Sequence, residues 1–395
     1  MSRIQTRLVI RFFKKYIPGP MIALIASYGM YFFVSADSIP HQNTVDRSGR
    51  KLASPDSRET PLLTDNGSGW RESKGLLYHG IPARILFYQS SADTGLADTI
   101  NRAAWGEFEK IGRIFNPFDP ASEVARLNET LRTRCPPMQL TVSKDVYTVM
   151  GISRDIWAQS SGNFDPTLWP LKQLWRDAEE KQRIPSQKDI EAALQSTGFG
   201  AVRLADDHAY RIRIKDHSIM FDFGGIVKGY AVDQVREALL KKGVTAGLVQ
   251  LGGEVSAFGE NGGEPWRIGI QHPKEVGKVW GVIAAKGRLS VSTSGNYQQA
   301  IGIGGRSFYH IFSPKTGWPV SEKVLGVTIA CMGENFCSAR LDGIATAITV
   351  MGPKNGLALA EKIGIDAIIL YETDSGAIGE MMTKGLNGHY MRKDG

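Results

Sequence analysis

The strongest constraint on the fold of this chain is the segment FDFGGIVKGYAVD at residues 221–233, which a second glycine-rich run, LGGE at residues 251–254, follows closely. The first segment predicts a short apolar strand ending at Asp222, a turn that two glycines open, and a helix with Lys228 in its first turn. A carboxylate, accessible backbone N–H groups and a cation then surround one helix N-terminus. This arrangement suits a phosphate-bearing ligand, although a simpler role for Asp222 is to cap the helix.

The charge distribution argues against a nucleic-acid-binding protein. The chain has 395 residues, 42% of them hydrophobic, and a formal net charge of +7. Five of the cations and no acid lie within the first 15 residues, which leaves a formal charge of +2 for the remainder. No basic stripe with interleaved aromatic residues occurs elsewhere in the chain. We therefore expect no nucleic-acid partner, and a hydrophobic core large enough for one large domain or two.

The N-terminal residues predict an export signal. Basic residues precede a mostly apolar run at residues 20–35, PMIALIASYGMYFFVS, and small residues occupy positions 34–36. This pattern is typical of a Sec-type signal peptide, here covering residues 1–36. The apolar run is slightly short for a membrane span, which needs about 17–25 residues, yet an uncleaved signal anchor stays a fair alternative. Both interpretations predict a periplasmic protein or one on the outer face of the cytoplasmic membrane, and the anchor predicts membrane association.

Residues 37–75 are rich in Ser, Asp, Asn, Pro and Gly and predict a flexible linker. From residue 76 the pattern becomes that of a globular domain, which we expect to extend to residue 395. The cysteines, Cys135, Cys331 and Cys337, form no Cys-x-x-Cys motif, which argues against a zinc site and against a disulfide framework. We expect unpaired core thiols, while a single Cys331–Cys337 bridge stays open in an oxidising compartment.

Hydrophobic periodicity predicts helices and strands that together indicate an α+β fold. The predicted helices cover residues 97–115, 143–159, 226–242, 338–351 and 353–363, and another begins at Ser186, which forms a capping box with Asp189. The predicted strands cover residues 84–89, 247–251, 266–271, 279–285, 289–293, 324–331 and 367–370. Short turns near Asn296 and Gly304 indicate antiparallel pairing, so we favour an α+β domain with mixed or antiparallel sheets over a doubly wound sheet.

Between two of the predicted helices, the segment GNFDPTLWPLKQLW at residues 162–175 places Asp165 in a turn with aromatic residues on both sides. One interpretation is an Asx-type turn packed by Trp169 and Trp175, and the other is an acid that contacts a ligand. The sequence alone leaves both open.

Two later segments offer groups suited to catalysis. His310 precedes the turn SPKTG, and a histidine with a pKa near neutrality is a natural general base, although a lone histidine is more often structural. Asp342 and Thr346 are four residues apart on a predicted helix, so they share a face. A carboxylate and a hydroxyl suffice for Mg²⁺ when carbonyl and phosphate oxygens complete its shell. The simpler role for Asp342 is helix capping or ion pairing.

The order of these motifs resembles that of the FAD:protein FMN transferases, the ApbE family. The matching segments, in chain order, are GNFDPT, FDFGGIVKGYAVD, LGGE, TSGNY, HIFSPKTG and LDGIAT, and the similarity covers residues 77–370. The resemblance implies a single T-fold-like α+β domain that uses FAD and Mg²⁺ outside the cytoplasmic membrane. It implies transfer of FMN from FAD to a threonine hydroxyl of a partner flavoprotein, with release of AMP. The expected partner is a respiratory electron-transfer subunit that carries a short Ser/Thr-rich motif.

The resemblance also implies roles for particular residues. His310 is the base that deprotonates the acceptor threonine. Mg²⁺ is held by the side chains of Asp342 and Thr346 and by the backbone carbonyl of Gly225. The residues expected to contact FAD are His79, Phe118, Asn163, Phe164, Asp165, Asp222 and Lys228.

The chain departs from the family pattern at a few positions. Ser313 stands where an aspartate is usual in the turn after His310, and Leu168-Trp169 replaces a pair of small residues. Glu254 replaces an aspartate and His79 a methionine. Because the metal and base residues are retained, we expect activity. Two alternatives stay open: an Mg²⁺-dependent FAD pyrophosphatase that releases FMN and AMP, and a non-catalytic exported FAD-binding maturation factor.

Overall fold

A computed structural model describes residues 60–65, 68–78, 80–90, 93–206, 209–215, 219–295, 300–320, 323–333 and 338–393. The predicted export signal, most of the predicted linker, and the residues His79, Asn296 and Cys337 lie outside these ranges. Within the ranges, no helix combines the length and the hydropathy that a membrane span requires.

Eight α-helices lie in the described part of the chain. They are α1 (Thr94–Phe115), α2 (Glu123–Thr133), α3 (Lys144–Gln159), α4 (Trp169–Glu180), α5 (Gln187–Leu194), α6 (Val227–Lys241), α7 (Ser338–Met351) and α8 (Pro353–Ile363).

The described strands number seventeen. They are β1 (Thr64–Asp65), β2 (Trp70–Leu77), β3 (Ile81–Tyr88), β4 (Met138–Thr141), β5 (Val202–Leu204), β6 (Arg211–Ile214), β7 (Gly247–Leu251), β8 (Glu254–Phe258), β9 (Trp266–Gln271), β10 (Val279–Ala285), β11 (Leu289–Gly295), β12 (Ala300–Ile303), β13 (Arg306–Tyr309), β14 (Val324–Met332), β15 (Asp366–Glu372), β16 (Ile378–Met382) and β17 (Tyr390–Arg392).

One large antiparallel sheet organises the domain, with strand order β1-β2-β3-β7-β8-β11-β14-β15-β16. Smaller sheets have the orders β17-β10-β9 and β4-β6-β5, and β12 pairs with β13 in a separate hairpin. All of these pairs are antiparallel.

The large sheet separates two hydrophobic cores. On β3, Ile85 and Phe87 pack in the core shared with α1, α6 and α7, whereas Leu86 packs with Trp266 of the small β17-β10-β9 sheet. The alternation follows from the strand geometry, since successive side chains point to opposite faces. A third cluster joins α4, α5 and the β12–β13 hairpin around the buried Trp175. The helical layer, the large sheet and the small sheet therefore stack in that order.

The predicted α+β class with antiparallel sheets is confirmed. The predicted helices correspond to α1, α3, α5, α6, α7 and α8, and the predicted strands to β3, β7, β9, β10, β11, β14 and β15, with shifts of up to three residues at their ends. The capping box is present: Ser186 Oγ accepts the N–H of Asp189 at 3.2 Å, and the N–H of Ser186 donates to Asp189 Oδ2 at 3.2 Å.

The end of the predicted linker is wrong, because β2 pairs with β3 from Trp70 to Leu77. Hydrophobic periodicity does not predict this strand because polar residues occupy buried positions on it. Arg71 and Ser73 are buried, and they pair with Asp65 and with Asn101 on α1, respectively. Buried polar groups are stable where such partners exist.

The predicted strand before Asp222 is also wrong. Residues 219–223 make a single parallel bridge, between Met220 and Leu168. The side-chain amide of Asn128 takes the place of a neighbouring strand: its Nδ2 donates to Phe221 O at 2.8 Å, and its Oδ1 accepts the N–H of Phe221 at 2.6 Å. A side chain distant in sequence thus satisfies a backbone that a sheet would otherwise satisfy.

Two further expectations need correction. The segment after Asp165 contains the helix α4, which the periodicity analysis did not predict; its proline lies in the first turn, where the missing N–H costs nothing. Cys135 is exposed in the turn after α2 and is not a core thiol, whereas Cys331 is half-buried.

Candidate active site

The glycine turn before α6 connects two of the sequence motifs. Oδ1 of Asp222 accepts the N–H of Gly224 at 3.0 Å, and Oδ2 lies 2.9 Å from Nζ of Lys172 on α4. The N–H of Asp222 donates to the carbonyl of Pro166 at 2.8 Å. Asp222 therefore fixes its own turn and joins it to the GNFDPT segment.

A close approach of α6 and α7 brings the predicted lysine and aspartate together. A Cβ atom at Gly229 would lie 2.3 Å from the carbonyl oxygen of Ser338, so only glycine allows this contact. Lys228 Nζ lies 2.9 Å from Oδ1 and 3.1 Å from Oδ2 of Asp342, and the N–H of Gly229 donates to Oδ2 at 3.0 Å. Asp342 is 1% exposed. The buried carboxylate is stable because an ammonium and a backbone N–H surround it.

Glu254 adds a second buried carboxylate to this cluster. It is 1% exposed, and its Oε1 lies 3.3 Å from Lys228 Nζ. Burial and the nearby charge of Asp342 raise the pKa of Glu254 to about 8, although Lys228 opposes the shift. Burial alone would lower the pKa of Lys228, but Asp342 and Glu254 outweigh it and raise that pKa. Lys228 therefore stays charged.

Thr346 meets the glycine turn from the facing helix α7. Its hydroxyl lies 3.3 Å from the carbonyl oxygen of Gly225 and 3.1 Å from that of Asp342, one turn earlier. A Cβ atom at Gly225 would lie 3.2 Å from Thr346 Oγ1. The structure thus brings the carbonyl of Gly225, the hydroxyl of Thr346 and the helix turn of Asp342 to one place.

These oxygens fit Mg²⁺. The set consists of one carboxylate, one hydroxyl and one backbone carbonyl, and hard cations prefer oxygen ligands. No group of three or more His, Cys, Asp or Glu side chains that could hold a metal occurs in the described ranges. Mg²⁺ is usually bound by only one or two carboxylates together with substrate phosphates, so a site with a single carboxylate is sufficient for it. The role of these residues as metal ligands stays a prediction.

Internal hydrogen bonds fix the conformation of the GNFDPT segment, and its predicted contacts with FAD stay predictions. Oδ1 of Asp165 accepts the N–H of Thr167 at 2.8 Å and its hydroxyl at 2.5 Å, and Oδ2 accepts the N–H of Phe199 at 2.9 Å. The Asx-type turn is therefore confirmed. Burial raises the pKa of Asp165, against the lowering effect of the hydrogen bonds from Thr167 and Phe199. Phe164 is buried and packs beneath Gly225, and Asn163 donates to Ser160 O at 2.6 Å.

An aromatic cleft lies beside the glycine turn. Phe118 is 45% exposed, and its ring meets Trp169 edge-on at a centroid distance of 4.9 Å. The guanidinium of Arg176 lies 5.1 Å and Lys172 Nζ 5.9 Å from the centroid of the Phe118 ring. The cleft has a volume of about 370 Å³. Lys172 and Arg176 are not among the predicted site residues, because both lie on α4, where the sequence pattern predicts no helix.

His310 lies on a different element, directly after the β12–β13 hairpin, and is half-buried. In the following turn, Ser313 Oγ accepts the N–H groups of Lys315 and Thr316, each at 3.3 Å. This hydroxyl thus supplies an acceptor for the turn where the family pattern has a carboxylate. The indole of Trp175 on α4 donates to the carbonyl of Gly317 at 3.0 Å. Helix α4 therefore contacts both the turn after His310 and, through Lys172, the glycine turn.

Comparisons with known proteins agree with this architecture. The family model described as "ApbE family" matches residues 79–369. An FAD:protein FMN transferase of Klebsiella pneumoniae is 26% identical over 72% of this chain and 80% of its own length. The corresponding protein of Vibrio cholerae is 29% identical over 68% of this chain and 78% of its own length.

Solved structures give the same result. The ApbE protein from Thermotoga maritima superposes with a TM-score of 0.70 at 28% identity and covers 81% of this chain and 99% of its own. The apo form of the flavinyl transferase ApbE from Pseudomonas stutzeri has a TM-score of 0.67 at 27% identity and covers 83% of this chain and 97% of its own. The fold and the site thus define a flavin-transferase-like α+β domain. The chain belongs to the ApbE family.

Proposed function

We propose that this protein is an Mg²⁺-dependent FAD:protein FMN transferase that moves FMN from FAD to a threonine hydroxyl of an exported or membrane flavoprotein. The observation that carries the proposal is the convergence of Lys228, Asp342, Thr346 and the Gly225 carbonyl on one glycine turn. The relatives that bear the name FAD:protein FMN transferase support it.

Different residues of the chain have different roles in this reaction. The glycine turn lets the substrate phosphates approach its exposed backbone at Gly224, and Phe118 with Asp222 and Lys228 contacts FAD. Asp342, Thr346 and the Gly225 carbonyl would hold Mg²⁺, which when bound would neutralise charge on the pyrophosphate. His310 takes the proton from the acceptor hydroxyl. The threonine oxygen forms a bond to the FMN phosphorus, the bond from that phosphorus to the bridging oxygen breaks, and AMP leaves.

The proposed site of action rests on the N-terminal sequence, and the proposed acceptor rests on the resemblance to the ApbE family. A signal peptide or anchor at residues 1–36 supports a location in the periplasm or on the outer face of the cytoplasmic membrane. The acceptor is a flavoprotein subunit of a respiratory electron-transfer complex that exposes a short Ser/Thr-rich motif.

The test is an assay with the full-length protein, FAD, Mg²⁺ and a purified acceptor that carries such a motif. We expect covalent flavin fluorescence on the acceptor in a denaturing gel, AMP release in equal amount, and loss of both with a chelator. In His310→Ala, loss of a positioned base lowers the rate by about 10²–10⁴-fold.

Other results of this assay would identify one of the alternative functions or reject the role of His310. Release of FMN and AMP without acceptor labelling identifies an FAD pyrophosphatase. Retention of intact FAD over hours without AMP release identifies a binding factor. Equal labelling by the wild type and His310→Ala rejects the base assignment.

A further inference from the structure

The hydrogen-bonding capacity of Lys228 is already used within the protein. Its ammonium has three N–H donors. It lies within 3.5 Å of four oxygens, namely both carboxylate oxygens of Asp342, Oε1 of Glu254 and the carbonyl of Gly224. Two carboxyl groups, those of Asp342 and Glu254, face this one cation. An anionic ligand that approaches the glycine turn therefore gains little from Lys228 unless these bonds rearrange.

Lys172 stands on the other side of the same turn and has more capacity to spare. Among the described residues, its hydrogen-bond acceptor is Oδ2 of Asp222 at 2.9 Å, which occupies one of three donors. An ideal Cβ at Gly224 would lie 3.6 Å from Lys172 Nζ, so the ammonium overlies the turn. The side chain of Lys172 is 36% exposed, compared with 25% for Lys228.

Lys172 also borders the cleft in which Phe118 is exposed. Its ammonium lies 5.9 Å from the Phe118 ring centroid and forms part of the cleft wall. An aromatic surface and an ammonium with unused donors therefore meet where the glycine turn exposes its backbone. An aromatic ring system joined to an anionic phosphate matches both features.

We propose that Lys172 is a substrate-contacting residue that donates to the pyrophosphate of FAD across the glycine turn while Asp222 holds its ammonium in place. The inference rests on the proposed function, because it assigns a further contact to the same substrate. It makes Lys172, rather than Lys228 alone, a source of the positive charge that the chain presents to the substrate phosphates.

The test compares FAD affinity of the full-length wild type with that of Lys172→Met, which keeps the length of the side chain and removes the charge. Binding is measured by flavin fluorescence within seconds of mixing, in Mg²⁺ and without an acceptor. The second probe is ADP-ribose, which keeps a pyrophosphate and lacks the flavin, measured by competition with FAD. Lys188→Met, on the exposed face of α5, is the matched control.

A charge-assisted hydrogen bond to phosphate predicts that Lys172→Met weakens FAD and ADP-ribose by the same factor, about 10- to 100-fold. Lys172→Arg recovers most of this affinity, and Lys188→Met leaves both affinities unchanged. Unchanged affinity in Lys172→Met overturns the inference and leaves the proposed function standing. A loss for FAD without a loss for ADP-ribose also overturns it, since Lys172 then acts on the flavin or on the structure of α4. If the wild type binds neither ligand, the proposed function fails and this assignment fails with it.

Discussion

The hydroxyl of Thr346 offers the sharpest test of the metal site at the scale of single residues. Thr346→Val keeps the shape of the side chain and removes the oxygen that lies 3.3 Å from the Gly225 carbonyl. Because Mg²⁺ depends on few protein ligands, we expect the Mg²⁺ concentration for half-maximal FMN transfer to rise by roughly tenfold or more, by analogy with the 10–100-fold effect of groups around a metal. A titration of activity against Mg²⁺ measures it.

Thr349 provides the control for this substitution. It lies on the same helix, and its hydroxyl donates to the carbonyl four residues earlier, Ala345 O, at 2.8 Å, as Thr346 does to Asp342. Thr349→Val should leave the Mg²⁺ requirement unchanged. Equal effects of the two variants would show that loss of a helix hydroxyl, and not of a ligand, is responsible.

The raised pKa of Glu254 predicts how the free energy of unfolding depends on pH. Its pKa in the folded protein is raised to about 8 by burial and by Asp342. A raised folded-state pKa means that the folded chain retains a proton that the unfolded chain loses. The contribution of this carboxyl to stability is therefore complete below its ordinary pKa of about 4.3 and falls as the pH rises to about 8, on the order of 1 kcal/mol per pH unit.

Glu254→Gln removes this titration. In metal-free protein with a chelator, urea unfolding between pH 5 and 9 should show the free energy of unfolding of the wild type falling relative to that of Glu254→Gln, and levelling near pH 8. A constant difference across this range would contradict the raised pKa.

Among the elements, the contact between α6 and α7 controls the geometry of the site. Gly229→Ala places a methyl carbon 2.3 Å from the carbonyl oxygen of Ser338. This oxygen belongs to the backbone, so it cannot move aside by a side-chain rotation. Overpacking of this kind typically costs about 1–3 kcal/mol. We expect a lower unfolding midpoint in urea. We also expect a higher Mg²⁺ concentration for half-maximal FMN transfer, because α7 carries Asp342.

Gly106 on α1 is the matched control, since its Cβ would meet nothing within 4 Å. Gly106→Ala should stabilise the protein by up to about 1 kcal/mol, as the helix propensities indicate. If Gly229→Ala were as well tolerated, the close helix contact would not hold in solution.

The elements also show why only part of the structure is predictable from sequence. Helix α1 repeats apolar residues at the helical period, and α7 and β14 are largely apolar segments that are almost continuously buried; the predicted bounds of all three agree with the structure within a few residues. Strand β2 was missed because Arg71 and Ser73 fill its inward positions, and their partners are set by tertiary structure. The residues of the Lys228–Asp342 cluster were named from their motifs. The roles of Glu254 and Lys172 in that site depend on distances that no sequence spacing encodes.

At the scale of the whole molecule, the site draws on two parts of the fold. The glycine turn, α6 and α7 pack on the large sheet, whereas His310 follows the β12–β13 hairpin, which packs with α4 and α5 in a separate hydrophobic cluster. Two kinds of contact join the parts through α4: the Lys172–Asp222 ion pair on one side, and the bond from Trp175 to Gly317 on the other. Helix α4 therefore links the glycine turn to the segment that follows the proposed base.

Trp175→Phe tests this connection. The substitution keeps an aromatic ring in the cluster and removes the indole N–H that donates to the buried Gly317 carbonyl at 3.0 Å. An unsatisfied buried carbonyl costs about 1–3 kcal/mol, and the cost falls on the segment that follows His310. We expect faster amide hydrogen exchange over residues 306–317 and a lower rate constant for FMN transfer, with unchanged exchange over α7 and an unchanged Mg²⁺ requirement.

Trp105→Phe is the comparison for this prediction, because it removes an equivalent buried bond, from the indole to Ser73 Oγ at 2.8 Å, in the main core. It should lower the overall stability without a specific increase in exchange at residues 306–317. The two variants separate a local effect on the segment around His310 from a general loss of stability. If both variants accelerate exchange at residues 306–317 equally, α4 does not position the base. The two parts of the site are then joined through the core that α1, α6 and α7 form on the large sheet.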